Sequence, residues 1–98
     1  MDLQIRGKTA LVTGSTAGIG LAAARLLAAE GAAVVVNGRT EARVSAAVKD
    51  IQSTLASATV RGVAADLGTA AGCDALAAAV PDIDILVNNV GVFEPKPF

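Results

Sequence analysis

The segment TGSTAGIG, residues 13–20, sets Gly14, Gly18 and Gly20 among small residues, between an apolar run and a helical pattern. Before it, TALVT at 9–13 reads as a short buried strand. After it, Ile19, Ala22, Ala23, Leu26 and Leu27 recur at i, i+3, i+4, i+7 and i+8, which predicts a helix ending near Gly31 with that stripe on the core. A glycine-rich turn joining strand to helix exposes backbone N–H groups and the positive helix end, with no side chain in the way. A pyrophosphate suits it. On this reading Gly14 permits the sharp exit from the strand, Gly18 the approach of the phosphates and Gly20 the close packing of the helix. Ser15 and Thr16 add hydroxyl donors. A tight turn without a ligand is the alternative reading of the glycines alone.

The rest of the chain repeats the alternation. AVVV at 33–36 reads as a second strand, and Thr40 as the cap of a helix whose stripe is Val44, Ala47, Val48, Ile51 and Leu55. Residues 58–64, ATVRGVA, read as a third strand, 69–80 as a short third helix and IDILV at 83–87 as a fourth strand. Each crossover holds a helix and is too long for a hairpin, which demands a parallel sheet with right-handed connections. The fold class expected is α/β, a doubly wound parallel sheet of Rossmann type, partial, with strand order 3-2-1-4. Such sheets bind ligands beyond the carboxyl ends of their strands. The polar and glycine-rich segments fall there: residues 13–20, Asn37 to Arg39, Asp66, and Asn88 to Gly91.

Composition narrows the classes further. At 98 residues with a net charge of −1, the chain has room for one small domain and no basic run for nucleic acid or an anionic membrane. Its lone cysteine, Cys73, excludes an internal disulfide, and without histidine the usual zinc ligand set is missing. Cys73 falls with Leu76, Ala77 and Val80 on an apolar helix face and is expected in the core. MDLQIRGKTALV at the start fits neither a signal peptide nor a membrane span, so the expected location is cytoplasmic.

The glycine spacing is GxxxGxG, and with it the chain resembles the short-chain dehydrogenase/reductase family. Thr13, Gly14, Gly18, Ile19 and Gly20 match that family's TGxxxGIG motif. Asp66 and Leu67 match its acidic adenine contact, and Asn88, Asn89, Val90 and Gly91 resemble its NNAG motif with valine in place of alanine. The resemblance spans the whole chain and implies a nicotinamide dinucleotide cofactor. A carboxylate at 66 can accept the exocyclic amine of adenine, or alternatively cap the third helix. Asn88 and Asn89 can tie the fourth strand to the first, through the Thr13 hydroxyl, and shape the ribose site.

Choice between the two dinucleotides is expected at the end of the second strand, where an acid would hold a ribose 2′-OH. Asn37, Gly38 and Arg39 stand there, with no carboxylate to repel a 2′-phosphate and a guanidinium suited to binding one. NADP is therefore expected over NAD, the other reading of Arg39 being a solvated loop residue. Many NADP-dependent members of the family carry a base just before the second glycine, where this chain has Ala17.

The resemblance implies a Ser and a Tyr-x-x-x-Lys pair downstream, and this chain has no tyrosine. No catalytic residue and no metal ligand is assigned within 1–98. The expectation is the cofactor-binding half of an oxidoreductase acting on a small carbonyl or alcohol substrate, inactive by itself, as a homo-oligomer or with a C-terminal half that completes the sheet beside 83–87. A dinucleotide-binding module without turnover is the alternative, and a methyltransferase-like nucleotide fold a weaker one.

Overall fold

The computed structural model describes residues 5–89. Seven elements alternate along them: β1 (Thr9–Val12), α1 (Gly18–Ala29), β2 (Ala33–Gly38), α2 (Glu41–Thr54), β3 (Val60–Ala64), α3 (Ala70–Ala79) and β4 (Ile85–Val87). All strand pairings are parallel, and the sheet order is β3-β2-β1-β4, as the alternation predicts. β2 runs two residues further than its apolar stretch, because Asn37 and Gly38 continue the ladder opposite Val63 and Ala64. β4 begins later than its apolar run; Asp84 instead fastens the start of β1, its carboxylate accepting the Thr9 amide at 2.9 Å.

Side chains alternate across the strands, which fixes the layers. Ala10, Val12, Val34 and Val36 point to one face and pack with Ala24 and Ala28 of α1 and with Val44, Ala47 and Ile51 of α2. Leu11 and Val35 point to the other and meet Ala65, Leu76 and Val80, the face that α3 covers. Ladders buried on both faces explain why β1 and β2 read as unbroken apolar runs. Thr40 caps α2 by accepting the Arg43 amide at 3.2 Å, and Arg61 donates to the Ala79 carbonyl at 3.1 Å, closing the end of α3. Arg25 of α1 and Asp50 of α2 form an ion pair between the two helices.

Two expected core faces are corrected in part: Ala23 and Leu27 of α1, and Leu76 and Val80 at the third helix, pack inward as expected. In α1 the fully buried row is Gly20, Ala24 and Ala28, while Ile19 is 81% and Leu26 60% exposed. In α3 Gly72, Leu76 and Val80 face inward, and Cys73 is exposed, its Sγ donating to the Leu67 carbonyl at 3.5 Å. The same cause acts in both helices. A glycine starts the inward row and allows close approach: a Cβ on Gly20 would collide with the Gly14 carbonyl, and one on Gly72 with that of Asp66. Helix rotation is thus set at the point of closest approach, and the larger apolar residues one position away turn outward.

Candidate dinucleotide site

The carboxyl ends of β1, β2, β3 and β4 meet at one rim, and the loop from Thr13 to Ala17 lies at its centre. Gly14 and Gly18 take positive φ of 58° and 61°, a conformation costly for residues with a Cβ. A Cβ added to Gly18 would meet nothing within 4 Å, so the loop presents open space on that side, which only a side chain or a ligand would fill. α1 begins there without a side-chain cap, its N-cap being Ala17, and without an acid in its first turn. Thr40 and Thr69 cap α2 and α3. The positive end of α1 therefore faces the rim uncompensated.

Asn37 holds this loop in place. It is 1% exposed, and its Oδ1 accepts the Gly14 amide at 3.1 Å while its Nδ2 donates to the carbonyls of Val63 at 3.2 Å and Ala65 at 3.4 Å. Ser15, fully buried, donates its hydroxyl to the Val12 carbonyl at 2.6 Å and accepts the Asn37 amide at 2.8 Å. This corrects the expectation of a Ser15 hydroxyl donor to phosphate: the proton is committed inside the protein, because the sharp exit from β1 folds Ser15 back over Val12. The Asn37 side chain is likewise turned inward, so both residues fix the shape of the loop. Thr16 stays at the rim and lines a cleft that opens beside the loop.

The fourth strand is tied to the first as expected. Thr13 Oγ1 donates to Asn88 Oδ1 at 3.1 Å and accepts the Asn89 amide at 2.9 Å, and Asn89 Nδ2 donates to the Gly14 carbonyl at 3.2 Å. Asn89 also lies against Gly20, where a Cβ would come within 2.7 Å of its Nδ2. Val90 and Gly91, the rest of that motif, lie outside the described residues.

The open cleft, of about 420 Å³, runs from the loop across the ends of β2 and β3, with Gly14, Thr16, Gly38, Arg39, Asp66 and Leu67 among its lining residues. Asp66 Oδ1 accepts the Gly68 amide at 2.9 Å, while Thr69 is the residue that caps α3, accepting the Gly72 amide at 2.9 Å. The carboxylate of Asp66 is thus left half-exposed at the cleft and not consumed as a helix cap. Its Oδ1 stands 3.9 Å from Arg39 Nε. The end of β2 carries no carboxylate of its own, as expected, but β3 brings one beside it: the two are parallel neighbours with Gly38 opposite Ala64, so the strand exits carrying Arg39 and Asp66 run side by side. Arg43 also lines the cleft, from the first turn of α2. The stripe read for that helix, Val44, Ala47, Val48, Ile51 and Leu55, leaves Arg43 off its core side; the signal available was a guanidinium four residues after Arg39, just inside the cap.

Among the described residues no group of His, Cys, Asp and Glu is arranged to hold a metal ion, and no helix is long and apolar enough to cross a membrane. The donor set fits a dinucleotide. Backbone amides and an uncapped helix end face the rim, the kind of site that accepts a pyrophosphate, and a cation and a carboxylate flank the cleft next to it.

Comparison with known proteins agrees with that geometry. The family model described as short chain dehydrogenase matches residues 8–98. An oxidoreductase of Bacillus subtilis (strain 168), YvaG, is 52% identical over 98 residues, covering all of this chain and 37% of that protein. A D-beta-hydroxybutyrate dehydrogenase of Cupriavidus necator is 46% identical over 92 residues, 90% of this chain and 35% of that protein. L-sorbose reductase from Gluconobacter frateurii, solved in complex with NADPH and L-sorbose, superposes with a TM-score of 0.86 at 39% identity, over 99% of this chain and 38% of the reductase. The chain spans little more than a third of the length of these relatives.

Proposed function

Since the chain belongs to the short chain dehydrogenase family, we propose that it forms the NADP-binding part of an oxidoreductase that moves hydride between nicotinamide and a carbonyl or alcohol. The observation that carries the choice of NADP is Arg39 at the end of β2, lining the cleft beside the glycine loop. A planar guanidinium there gives a 2′-phosphate a charge-assisted, two-point contact that a 2′-hydroxyl does not repay equally. The NADPH held by the Gluconobacter reductase supports the same reading.

In this reading the amides of Gly14 to Gly20, with Thr16, take the pyrophosphate, and Ser15 and Asn37 keep the loop in the conformation that receives it. Gly38 and Arg39 receive the 2′-phosphate ribose, Asp66 and Leu67 the adenine, and Asn89, Val90 and Gly91 the other ribose. Ile19 belongs to the glycine motif and stands at the helix start. Bound there, the nicotinamide supplies or accepts hydride. Proton transfer to the substrate oxygen needs a positioned acid or base. The chain has neither tyrosine nor histidine, so that group is assigned to the part of the relatives' length that the chain does not span. The chain alone therefore binds dinucleotide and reduces no ketone, which for the isolated chain coincides with a binding module without turnover.

Calorimetric titration tests the cofactor assignment. NADPH is expected to bind more tightly than NADH, with the order reversed in Arg39→Asp. Equal affinities that Arg39→Asp leaves unchanged would return Arg39 to the role of a solvated loop residue.

A further inference from the structure

We propose that Arg43 is a second ligand of the 2′-phosphate and the residue that gives this subsite its net positive charge. The inference rests on the assignment of NADP to the Arg39 cleft and extends it to a side chain on a different element.

Three observations lead there. First, Arg39 is not a free cation: Asp66 Oδ1 lies 3.9 Å from its Nε, so the two together contribute no net charge to the cleft. A phosphate monoester carries about −1.5 to −2 near neutral pH, and a balanced ion pair is a poor host for it. Second, Arg43 lines the same cleft and forms no ion pair among the described residues. Its charge makes the sum of the lining side chains positive, since Asp66 is the only acid among them.

Third, the position is an unfavourable one for a cation unless an anion is bound. Thr40 is the N-cap of α2 and accepts the Arg43 amide, so Arg43 occupies the third helical position. In the common capping arrangement that position holds Glu or Gln, reaching back to the cap. A guanidinium there and another at Arg39, just before the cap, both oppose the positive end of the helix. Glu41 in the same first turn offsets part of this but does not line the cleft. A bound phosphate reverses the sign for both arginines, and the two forks approach it from the β2 end and from the helix.

Titration of the 98-residue chain with 2′,5′-ADP and with 5′-ADP isolates the phosphate from the nicotinamide. The unaltered chain is expected to prefer 2′,5′-ADP, Arg43→Gln to cut the affinity ratio about tenfold, the scale of one lost charge-assisted contact, and Arg43→Lys to keep most of it. Retention of the ratio within about twofold in Arg43→Gln, with its loss in Arg39→Gln, would overturn the role of Arg43 and leave the Arg39 assignment standing. A ratio near one in the unaltered chain, or no binding of 2′,5′-ADP, would overturn both.

Discussion

Ser15 and Asn37 clasp one another through two hydrogen bonds of 2.8 Å, the Ser15 amide donating to the Asn37 carbonyl and the Asn37 amide to the Ser15 hydroxyl. Around that clasp the Asn37 side chain reaches three more main-chain groups, at Gly14, Val63 and Ala65. The glycine loop of β1 is therefore held by the ends of β2 and β3, and its shape is set before any ligand arrives. Preorganised amides lose less freedom on binding, which is how a structural asparagine contributes to affinity.

Replacing Asn37 by Ala leaves the partly buried Gly14 amide and Val63 carbonyl and the buried Ala65 carbonyl without this partner. Stability is expected to fall by about 2–4 kcal/mol, read as a lower urea midpoint at unchanged slope. Asn37→Asp keeps the acceptor for Gly14 but loses both donors and buries a charge, so it is expected to cost at least as much. A change within about 0.5 kcal/mol in either variant would show that the loop does not depend on Asn37.

Gly18 and Gly20 separate binding from packing. Gly18→Ala strains a backbone at φ 61°, at a cost of about 1–2 kcal/mol, but its Cβ enters open space. The variant should fold and bind dinucleotide more than about tenfold less tightly, because the methyl group stands where the phosphates approach. Gly20→Ala pushes against the Gly14 carbonyl and against Asn89 Nδ2, so stability is expected to drop by about 1–3 kcal/mol and binding with it. Equal affinity of Gly18→Ala and the unaltered chain would place the phosphates elsewhere.

The strand order, the parallel pairing and the rim of polar segments were legible because β-branched runs and helical stripes alternate without interruption. The rotation of α1 was not, since GIGLAAARLLAA is apolar on nearly every side and periodicity cannot rank a Gly20–Ala24–Ala28 row against one with Ile19 and Leu26. Depth of approach decided it, and depth depends on how the loop folds the Gly14 carbonyl against Gly20 and on Asn89, which is distant in sequence from the helix. The same applies to Cys73, displaced from the core by its neighbour Gly72. At the site, Arg39 and Asp66 were each identified from their own strand ends, whereas their proximity comes from the β2–β3 register, which no single segment encodes.

That proximity makes a prediction about selectivity. Asp66→Asn removes the negative charge beside Arg39 and keeps an oxygen able to accept the Gly68 amide. With both side chains well exposed, the pair is worth only a few tenths to about 1 kcal/mol. The preference for NADP over NAD should therefore rise about two- to fivefold, even as adenine recognition weakens for both dinucleotides alike. An unchanged ratio, measured by competition between the two, would show that the carboxylate does not bear on the 2′ position.

Leu86 marks the surface on which association is expected. It pairs with Leu11 across the parallel β1–β4 ladder and so lies on the α3 side of the sheet, yet it is 59% exposed. Among the described residues no strand pairs with the outer edge of β4, which leaves main-chain donors and acceptors beside an apolar side chain. Edges of this kind recruit another strand. Covering Leu86 and the edge in one contact combines main-chain pairing with about 1–2 kcal/mol of apolar burial, and weak self-association of the 98-residue chain is the expected outcome. Sedimentation equilibrium should then show a mass that rises with concentration, and Leu86→Lys should return the chain towards monomer, since a charge at that position must be desolvated for the edge to pair. Leu26→Lys, on the opposite face of the sheet, serves as the control and should leave the association in place. A monomer throughout the range would refute association at this edge, and association that Leu26→Lys abolishes and Leu86→Lys does not would move the contact from the β4 edge to the outer face of α1.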